Sequence, residues 1–126
     1  MKVYFIAMIS IRSGNIRMNF KSIRQFDKDF KKLSKRYKSL SNDLNTFKKN
    51  IPFIDVYANK NFAVLHKNEQ LLIIKARFFC RYLKGRTLRL IYAHYVDKEL
   101  IEFIQLYFKG DSEEEDKDRI KNYLNI

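Results

Sequence analysis

The spacing of apolar residues changes once along this chain, from a helical period to that of a strand, and this change constrains the fold most. Residues 26–51 contain two runs in which large apolar side chains recur every three or four positions. These side chains are Phe26, Phe30, Leu33, Tyr37, Leu40, Leu44, Phe47 and Ile51. Such spacing places apolar groups along one side of a helix. The sequence therefore predicts two amphipathic helices joined by a short connection as an antiparallel hairpin.

The second helix carries signals at both of its ends. Ser41 is predicted to cap its start, since a serine oxygen can accept a hydrogen bond from a free backbone N–H of the first turn. Asp43 suits the positive end of the helix, and Pro52 follows the last apolar residue.

From residue 71 onward, apolar residues alternate along the chain. In Leu71–Arg81, one side of the predicted strand is apolar and suits a core, with Leu72, Ile74, Ala76, Phe78 and Cys80. The other side carries Ile73, Lys75, Arg77, Phe79 and Arg81, and we expect it to be an exposed basic surface. Thr87–Val96 and Glu99–Phe108 are predicted as further strands, after turns at Tyr82–Arg86 and Asp97-Lys98.

Shorter signals complete the predicted fold. Residues 18–23 and Phe62–His66 favour short strands, and residues 113–124 favour a helix with Ser112 and Glu115 at capping-box spacing. The prediction is an α+β fold with an N-terminal strand, a helical hairpin on a mainly antiparallel meander, and a short C-terminal helix. Because the first clear structural signal starts near Met18, we interpret residues 1–17 as an N-terminal extension and 18–126 as one domain.

Composition narrows the class of function. The net charge of +12 indicates an anionic partner, either nucleic acid or an acidic protein. One cysteine and two histidines argue against disulfides and structural zinc, and we expect no cofactor. No apolar run reaches the ~20 residues of a membrane-spanning helix. We therefore expect a cytoplasmic protein that does not enter a membrane.

The basic strand surface is the candidate site. Lys75, Arg77 and Arg81, with Arg89 on the next strand, can hold a phosphodiester and stabilise charge on phosphorus during cleavage. The alternative is a solvated face, or pairing with Asp97, Glu99 and Glu102. Metal-free RNA cleavage by the ribose 2′-OH also needs an acid and a base. The candidates are Lys75, Tyr107, Lys109, His94 and His66.

Each of these acid and base candidates carries a condition. Lysine or tyrosine acts as a base near neutrality only if neighbouring cations lower its pKa. His94 alternates in register with apolar residues, which favours packing, and His66 lies in a segment without clear pattern. Phe79 and Tyr82 can stack on a base or be covered by a partner chain.

The order of these motifs resembles the RelE/ParE superfamily of toxins from toxin–antitoxin modules. Residues 26–33, Phe-Asp-Lys-Asp-Phe-Lys-Lys-Leu, resemble that family's first helix. Ile74–Arg77, Leu88–Tyr92 and Leu106–Lys109 resemble its second, third and fourth strands. The resemblance covers about residues 18–124. It implies phosphate-polarising roles for Lys75, Arg77 and Arg89, with Lys109 as a further catalytic residue and Arg81, Arg86 and Tyr107 as substrate-binding residues.

The resemblance implies a type II toxin that cleaves mRNA on the ribosome and pairs with an acidic cognate antitoxin as a hetero-oligomer. RNA-cleaving members carry more basic residues and a Tyr or His-Tyr after the fourth strand, whereas Gly110 here precedes an acidic run and Tyr123 lies further along. Three alternatives therefore stay open. They are a ParE-like inhibitor of DNA gyrase, a non-enzymatic basic domain that binds RNA or protein, and a decayed toxin.

Overall fold

The computed structural model describes residues 17–126, and the framework of the fold is a five-stranded mixed sheet. The strands are β1 (Asn19–Ser22), β2 (Phe62–Lys67), β3 (Leu72–Phe79), β4 (Thr87–Tyr95) and β5 (Leu100–Phe108). The helices are α1 (Arg24–Arg36), α2 (Leu40–Asn50) and α3 (Lys117–Leu124). The predicted α+β class is confirmed. The predicted extension, residues 1–17, lies outside the described residues apart from Arg17.

The strand order across the sheet is β1-β5-β4-β3-β2. β3 to β5 form the predicted antiparallel meander, and β2, predicted as Phe62–His66, extends to Lys67 and adds a fourth antiparallel strand. β1 pairs parallel with β5, with Asn19 opposite Leu100. Nothing in the local pattern of residues 18–23 specifies this pairing, because it depends on where the long connection through both helices returns the chain.

Helices α1 and α2 cover one side of the sheet, which we call the inner face. Phe47 of α2 lies at the centre of this core, with its ring 5.7 Å from that of Phe78 and 5.9 Å from that of Tyr92. Phe26 of α1 stacks on Phe103 of β5 at 5.2 Å. The side chains of β3 that were predicted to enter the core are buried here, Cys80 included. The two helical stripes therefore pack as their spacing predicts.

The start of α2 differs from the prediction. Ser39, and not Ser41, occupies the N-cap position. Its hydroxyl donates to Asp43 Oδ2 at 2.6 Å, and the backbone N–H groups of Arg81 and Tyr82 donate to Asp43 and Ser39. Asp43 is buried, so these bonds satisfy a carboxylate that would otherwise be costly inside the protein. The serine and aspartate tie α2 to the loop after β3.

The opposite side of the sheet, the outer face, is partly covered by α3. Ile73, Ile91 and Ile104 are buried there against Ile120, Tyr123 and Leu124 of the C-terminal region. The expectation that the whole second side of β3 is exposed is therefore wrong at Ile73. A register shift opposite Ile91 and Tyr92 lets both Ile104 and Tyr107 of β5 reach this face.

Helix α3 starts later than predicted. It begins at Lys117, and the side chain of Asp116 caps it by accepting a hydrogen bond from the Arg119 N–H at 3.0 Å. The predicted capping box does not form, because Ser112 Oγ donates to the Glu114 carbonyl and Glu115 turns toward the sheet. Residues 109–116 are thus a connecting segment over the outer face and not a helical turn.

Polar contacts fix α3 in place. Arg119 Nη1 donates to Asp29 Oδ2 of α1 at 2.7 Å and to the Ile104 carbonyl at 2.9 Å. The same Asp29 oxygen accepts from the Leu106 N–H at 3.1 Å, beyond the end of the β1 pairing. At the other end of the outer face, Tyr123 Oη donates to Glu102 at 2.6 Å. Helix α3 is therefore held at both ends.

Candidate anion-binding cleft

The basic residues predicted as the site converge at the uncovered end of the outer face. Arg77 of β3 lies opposite Arg89 of β4, and Arg89 lies opposite Tyr107 of β5. Together with Lys75 and Lys109, these side chains line a cleft of about 310 Å³. We call this the anion-binding cleft. Its opposite wall is residues 60–63, where the chain enters β2.

Pairing of two arginines across strands disfavours folding, because like charges directly opposite one another repel. Arg77 is exposed and Arg89 is half-buried. Arg89 Nη1 donates to Thr87 Oγ1 at 2.6 Å, which orients the guanidinium along its strand. Both guanidinium groups keep donors that a phosphate oxygen can accept. The sheet register therefore concentrates positive charge at one place and holds it on rigid strands.

Lys75 has a carboxylate partner within the chain. Its Nζ donates to Glu115 Oε1 at 2.9 Å, and the Glu115 side chain is only 13% exposed. Burial disfavours the charged lysine, but the hydrogen bond to Glu115 and the nearby Tyr107 together raise the pKa of Lys75 above its ordinary value. Burial also opposes the charge of Glu115, yet the bond from Lys75 lowers the pKa of Glu115. Both groups are ionised at neutral pH.

Tyr107 lies at the floor of the cleft. It is 7% exposed, and its hydroxyl is buried without a hydrogen-bond partner among the described residues. Burial raises the pKa of Tyr107, although the charges of Lys75 and Arg89 act against this. The neighbouring cations therefore do not bring the pKa of Lys75 or Tyr107 below its ordinary value, and the condition for either group to act as a base is not met. In this state Lys75 is a cation and Tyr107 a hydrogen-bond donor, and neither is a base.

The other predicted residues lie elsewhere. Arg81 lines a separate cavity beside the cleft, and the Arg86 guanidinium lies over the Phe108 ring at 5.3 Å. His94 is half-buried on β4, where burial lowers its pKa, and His66 lies on β2 beside a register shift. Tyr123 donates to Glu102 under α3. Cys80 is buried in the inner core, and burial raises its pKa.

Several residues of the cleft were missed at the level of sequence. Lys60 and Asn61 form part of its wall, and Glu113 lines it from the connection before α3. Asp97, Glu99 and Glu102 were considered as partners of the basic face, but the partner of Lys75 is Glu115. The acidic run after Gly110 was the available signal. Because this run lies at the start of a predicted helix, the sequence suggests that its charges act on that helix. In the structure, Glu115 of the run contacts Lys75 of β3.

Residues 17–126 contain no group of three or more His, Cys, Asp or Glu side chains that is placed to hold a metal ion. Among the helices described there, none is long and apolar enough to cross a membrane. Comparison of the chain with family models, with curated proteins and with solved structures finds no match, so the resemblance to RelE/ParE toxins stays a prediction.

Proposed function

We propose that this protein binds single-stranded RNA in the anion-binding cleft and cleaves it, as the toxin of a type II toxin–antitoxin module with a RelE-like fold. The observation that carries the proposal is that Lys75, Arg77, Arg89 and Lys109 line one cleft. Because Glu115 neutralises Lys75, three cations stay free there, and their hydrogen-bond donors suit the oxygens of a phosphodiester. The proposed substrate is mRNA on the ribosome, and the proposed location is the cytoplasm.

The chemistry is transesterification without a metal ion. The ribose 2′-oxygen attacks phosphorus, the bond to the 5′-oxygen breaks, and the products are a 2′,3′-cyclic phosphate and a 5′-hydroxyl. Arg77 and Arg89 donate to the non-bridging oxygens as negative charge grows on them. Lys109, which is exposed and lines the cleft, donates a proton to the departing 5′-oxygen. Glu113 lines the cleft with a carboxylate that can accept the proton of the 2′-hydroxyl.

Charge pairing within the chain supports an acidic antitoxin for this surface. Glu115 already neutralises Lys75, so an acidic partner segment can compete for the same cations. Arg77 and Lys109 are exposed and available to such a segment. An acidic antitoxin that covers the anion-binding cleft would form a hetero-oligomer with the toxin and block RNA at the same time.

A second candidate function is RNA binding without cleavage. The raised pKa values of Lys75 and Tyr107 favour it, because they leave neither group as a base at neutral pH. Such a domain would still bind RNA through the same cations, with an affinity that falls steeply as salt concentration rises. The two functions thus share a binding site and differ in chemistry.

Inducible expression in a bacterium, with mapping of RNA 5′ ends after induction, tests the proposal. The wild type is compared with Arg77→Ala, Arg89→Ala and Lys109→Ala. Lys28→Ala is the matched control, since it removes an exposed cation from α1. We expect growth arrest with new 5′-hydroxyl ends in wild type and control. Loss of one charged hydrogen-bond donor is worth about 1.5–3 kcal/mol, roughly a 10- to 150-fold loss of cleavage.

The outcomes separate the alternatives. New RNA ends that disappear in the arginine variants support cleavage at this site. Growth arrest without new ends contradicts it and favours DNA gyrase as the target. Absence of arrest, with RNA binding that Arg77→Ala weakens and Lys28→Ala does not, assigns the cleft to binding alone.

A further inference from the structure

A second cavity adjoins the anion-binding cleft. It has a volume of about 520 Å³ and lies between α2, the end of β3 and the chain that leads into β2. Asn61, Phe62 and Arg77 line both cavities, so the two adjoin at these residues. A ligand whose anionic group is held by Arg77 can therefore reach this second space, which we call the aromatic cavity.

Two exposed phenylalanines line the aromatic cavity. Phe53 is 61% exposed and Phe79 is 63% exposed. Full burial of such a side chain stabilises a protein by roughly 1.5–3 kcal/mol, which these two positions forgo in the free protein. Phe79 follows Arg77 by two residues on β3 and so projects from the same side of the strand. A flat ring and a cation are thus offered side by side on one rigid strand.

Aromatic rings and amide groups make up much of the lining of this cavity, and both suit a nucleobase. Asn59 Oδ1 accepts from the Asn61 N–H at 2.9 Å, which orients the Asn59 amide within the lining. Asp43 also lines the cavity, but it is 5% exposed and its Oδ2 accepts from Ser39 and from the Arg81 N–H. An aromatic surface with an amide group and a cation matches the face and edge of a base.

From this arrangement we infer that the aromatic cavity is a nucleobase subsite. It takes one unstacked base of single-stranded RNA against Phe79 and Phe53, next to the phosphate held in the anion-binding cleft. The inference rests on the proposed RNA binding and deepens it, because it gives the protein a contact with the base and not only with the backbone. Arg77 is the residue common to the two subsites, so phosphate and base are bound together.

The test uses the absence of tryptophan from the chain. Phe79→Trp introduces a single tryptophan at the subsite, whose emission can be excited apart from that of the tyrosines. Tyr57→Trp is the matched control because Tyr57 is 66% exposed and lines a different cavity. The ligands are a short oligo(dU), which has no 2′-hydroxyl and is not cleaved, and an abasic strand of equal length and charge. We expect oligo(dU) to quench Phe79→Trp, and expect no quenching by the abasic strand or in the control.

Affinity gives a second readout. Phe79→Ala is expected to weaken binding of oligo(dU) about 5- to 150-fold, the range for one base on one aromatic ring, with an unchanged affinity for the abasic strand. Since Phe79 is largely exposed, this variant should unfold at the urea concentration of the wild type.

The two proposals fail differently. Equal binding of both strands by the wild type, or unchanged oligo(dU) affinity in Phe79→Ala, overturns the base subsite alone and leaves the aromatic cavity to a protein partner. A wild-type protein that binds neither strand overturns the RNA-binding function and the subsite with it.

Discussion

The two ends of the outer face are built from the same three strands, yet they have opposite chemistry. At one end Ile73, Ile91 and Ile104 are buried beneath α3. At the other end, four residues further along β3, two residues earlier on β4 and three further along β5, Arg77, Arg89 and Tyr107 line an open cleft. The sheet is thus a core on one half of this face and a charged surface on the other.

This contrast between the two ends separates residues that stabilise the fold from residues that destabilise it. Burial of the isoleucines is favourable in proportion to the area removed from water. Arg77 opposite Arg89 is unfavourable for folding, and Tyr107 keeps a buried hydroxyl without a partner among residues 17–126. Unfavourable features of this kind cluster at functional sites. The open end is therefore where we propose that a ligand binds.

The largest expected change in stability comes from a substitution at the covered end of the outer face. Ile91→Ala removes a fully buried side chain under α3 and is expected to lower the free energy of unfolding by about 2–5 kcal/mol. Urea denaturation measures it. Affinity for oligo(dU) under native conditions should stay within about twofold of the wild type, roughly the change produced by 0.4 kcal/mol. A large loss of affinity in the folded variant would show that the two ends are not independent.

The next largest decrease in stability is expected when a contact that anchors α3 is removed. Tyr123→Phe removes the donor to Glu102 and the bond to Tyr95 Oη, both at 2.6 Å. The carboxylate is left half-buried without that donor, so the free energy of unfolding should fall by about 1–3 kcal/mol. Hydrogen exchange should show faster opening of α3 than of β3. Equal acceleration in both elements would mean that α3 does not open separately from the sheet.

Glu115→Gln tests the boundary between the covered end and the open end of the outer face. Because Glu115 neutralises Lys75, its removal should strengthen oligo(dU) binding at pH 7 about fivefold, equivalent to ~1 kcal/mol. Glu115→Asp keeps the charge and serves as the control. Weaker binding in Glu115→Gln would mean that this carboxylate positions Lys75 for the ligand and does not compete with it.

The same pair gives a pH dependence whose sign follows from the pKa of Glu115, which lies below the ordinary 4.5 of a glutamate. A carboxylate with a lowered pKa in the folded state stabilises the protein fully above the unfolded value. That contribution is lost as the pH falls through the folded value. Urea midpoints measured below pH 4.5 should therefore decline more steeply in the wild type than in Glu115→Gln. Parallel curves would show that Lys75 does not stabilise this carboxylate.

The smallest expected change in stability comes from a substitution at the open end of the outer face. Arg77→Thr places a residue suited to a strand opposite Arg89 and removes the repulsion, so the free energy of unfolding should rise by about 0.2–1 kcal/mol. Oligo(dU) binding should weaken at the same time. Lys28→Ala, which changes the same charge on α1, should alter neither quantity by much. Destabilisation by Arg77→Thr would show that the arginine supports the sheet.

Much of the fold was predictable because its signals are local. The stripes of α1 and α2, and the alternation along β3, β4 and β5, follow directly from residue spacing. Strand alternation and the resemblance also named Lys75, Arg77, Arg89, Lys109 and Tyr107, all of which line the anion-binding cleft. Strand alternation does not show that Arg81 and Arg86 lie outside the cleft. They do so because β3 ends at Phe79 and the chain turns after it.

Residue spacing was enough to predict the α+β class, the inner core and the strands that carry the cations, since each depends on neighbours within a few residues. Long-range packing was needed to establish which half of the outer face is covered, that β1 pairs in parallel with β5, and that Glu115 contacts Lys75. It also decided the ionisation of Lys75 and Tyr107, because their pKa values depend on burial and on charges brought from distant parts of the chain. These features arise from contacts between segments far apart in sequence, where residue spacing carries no information.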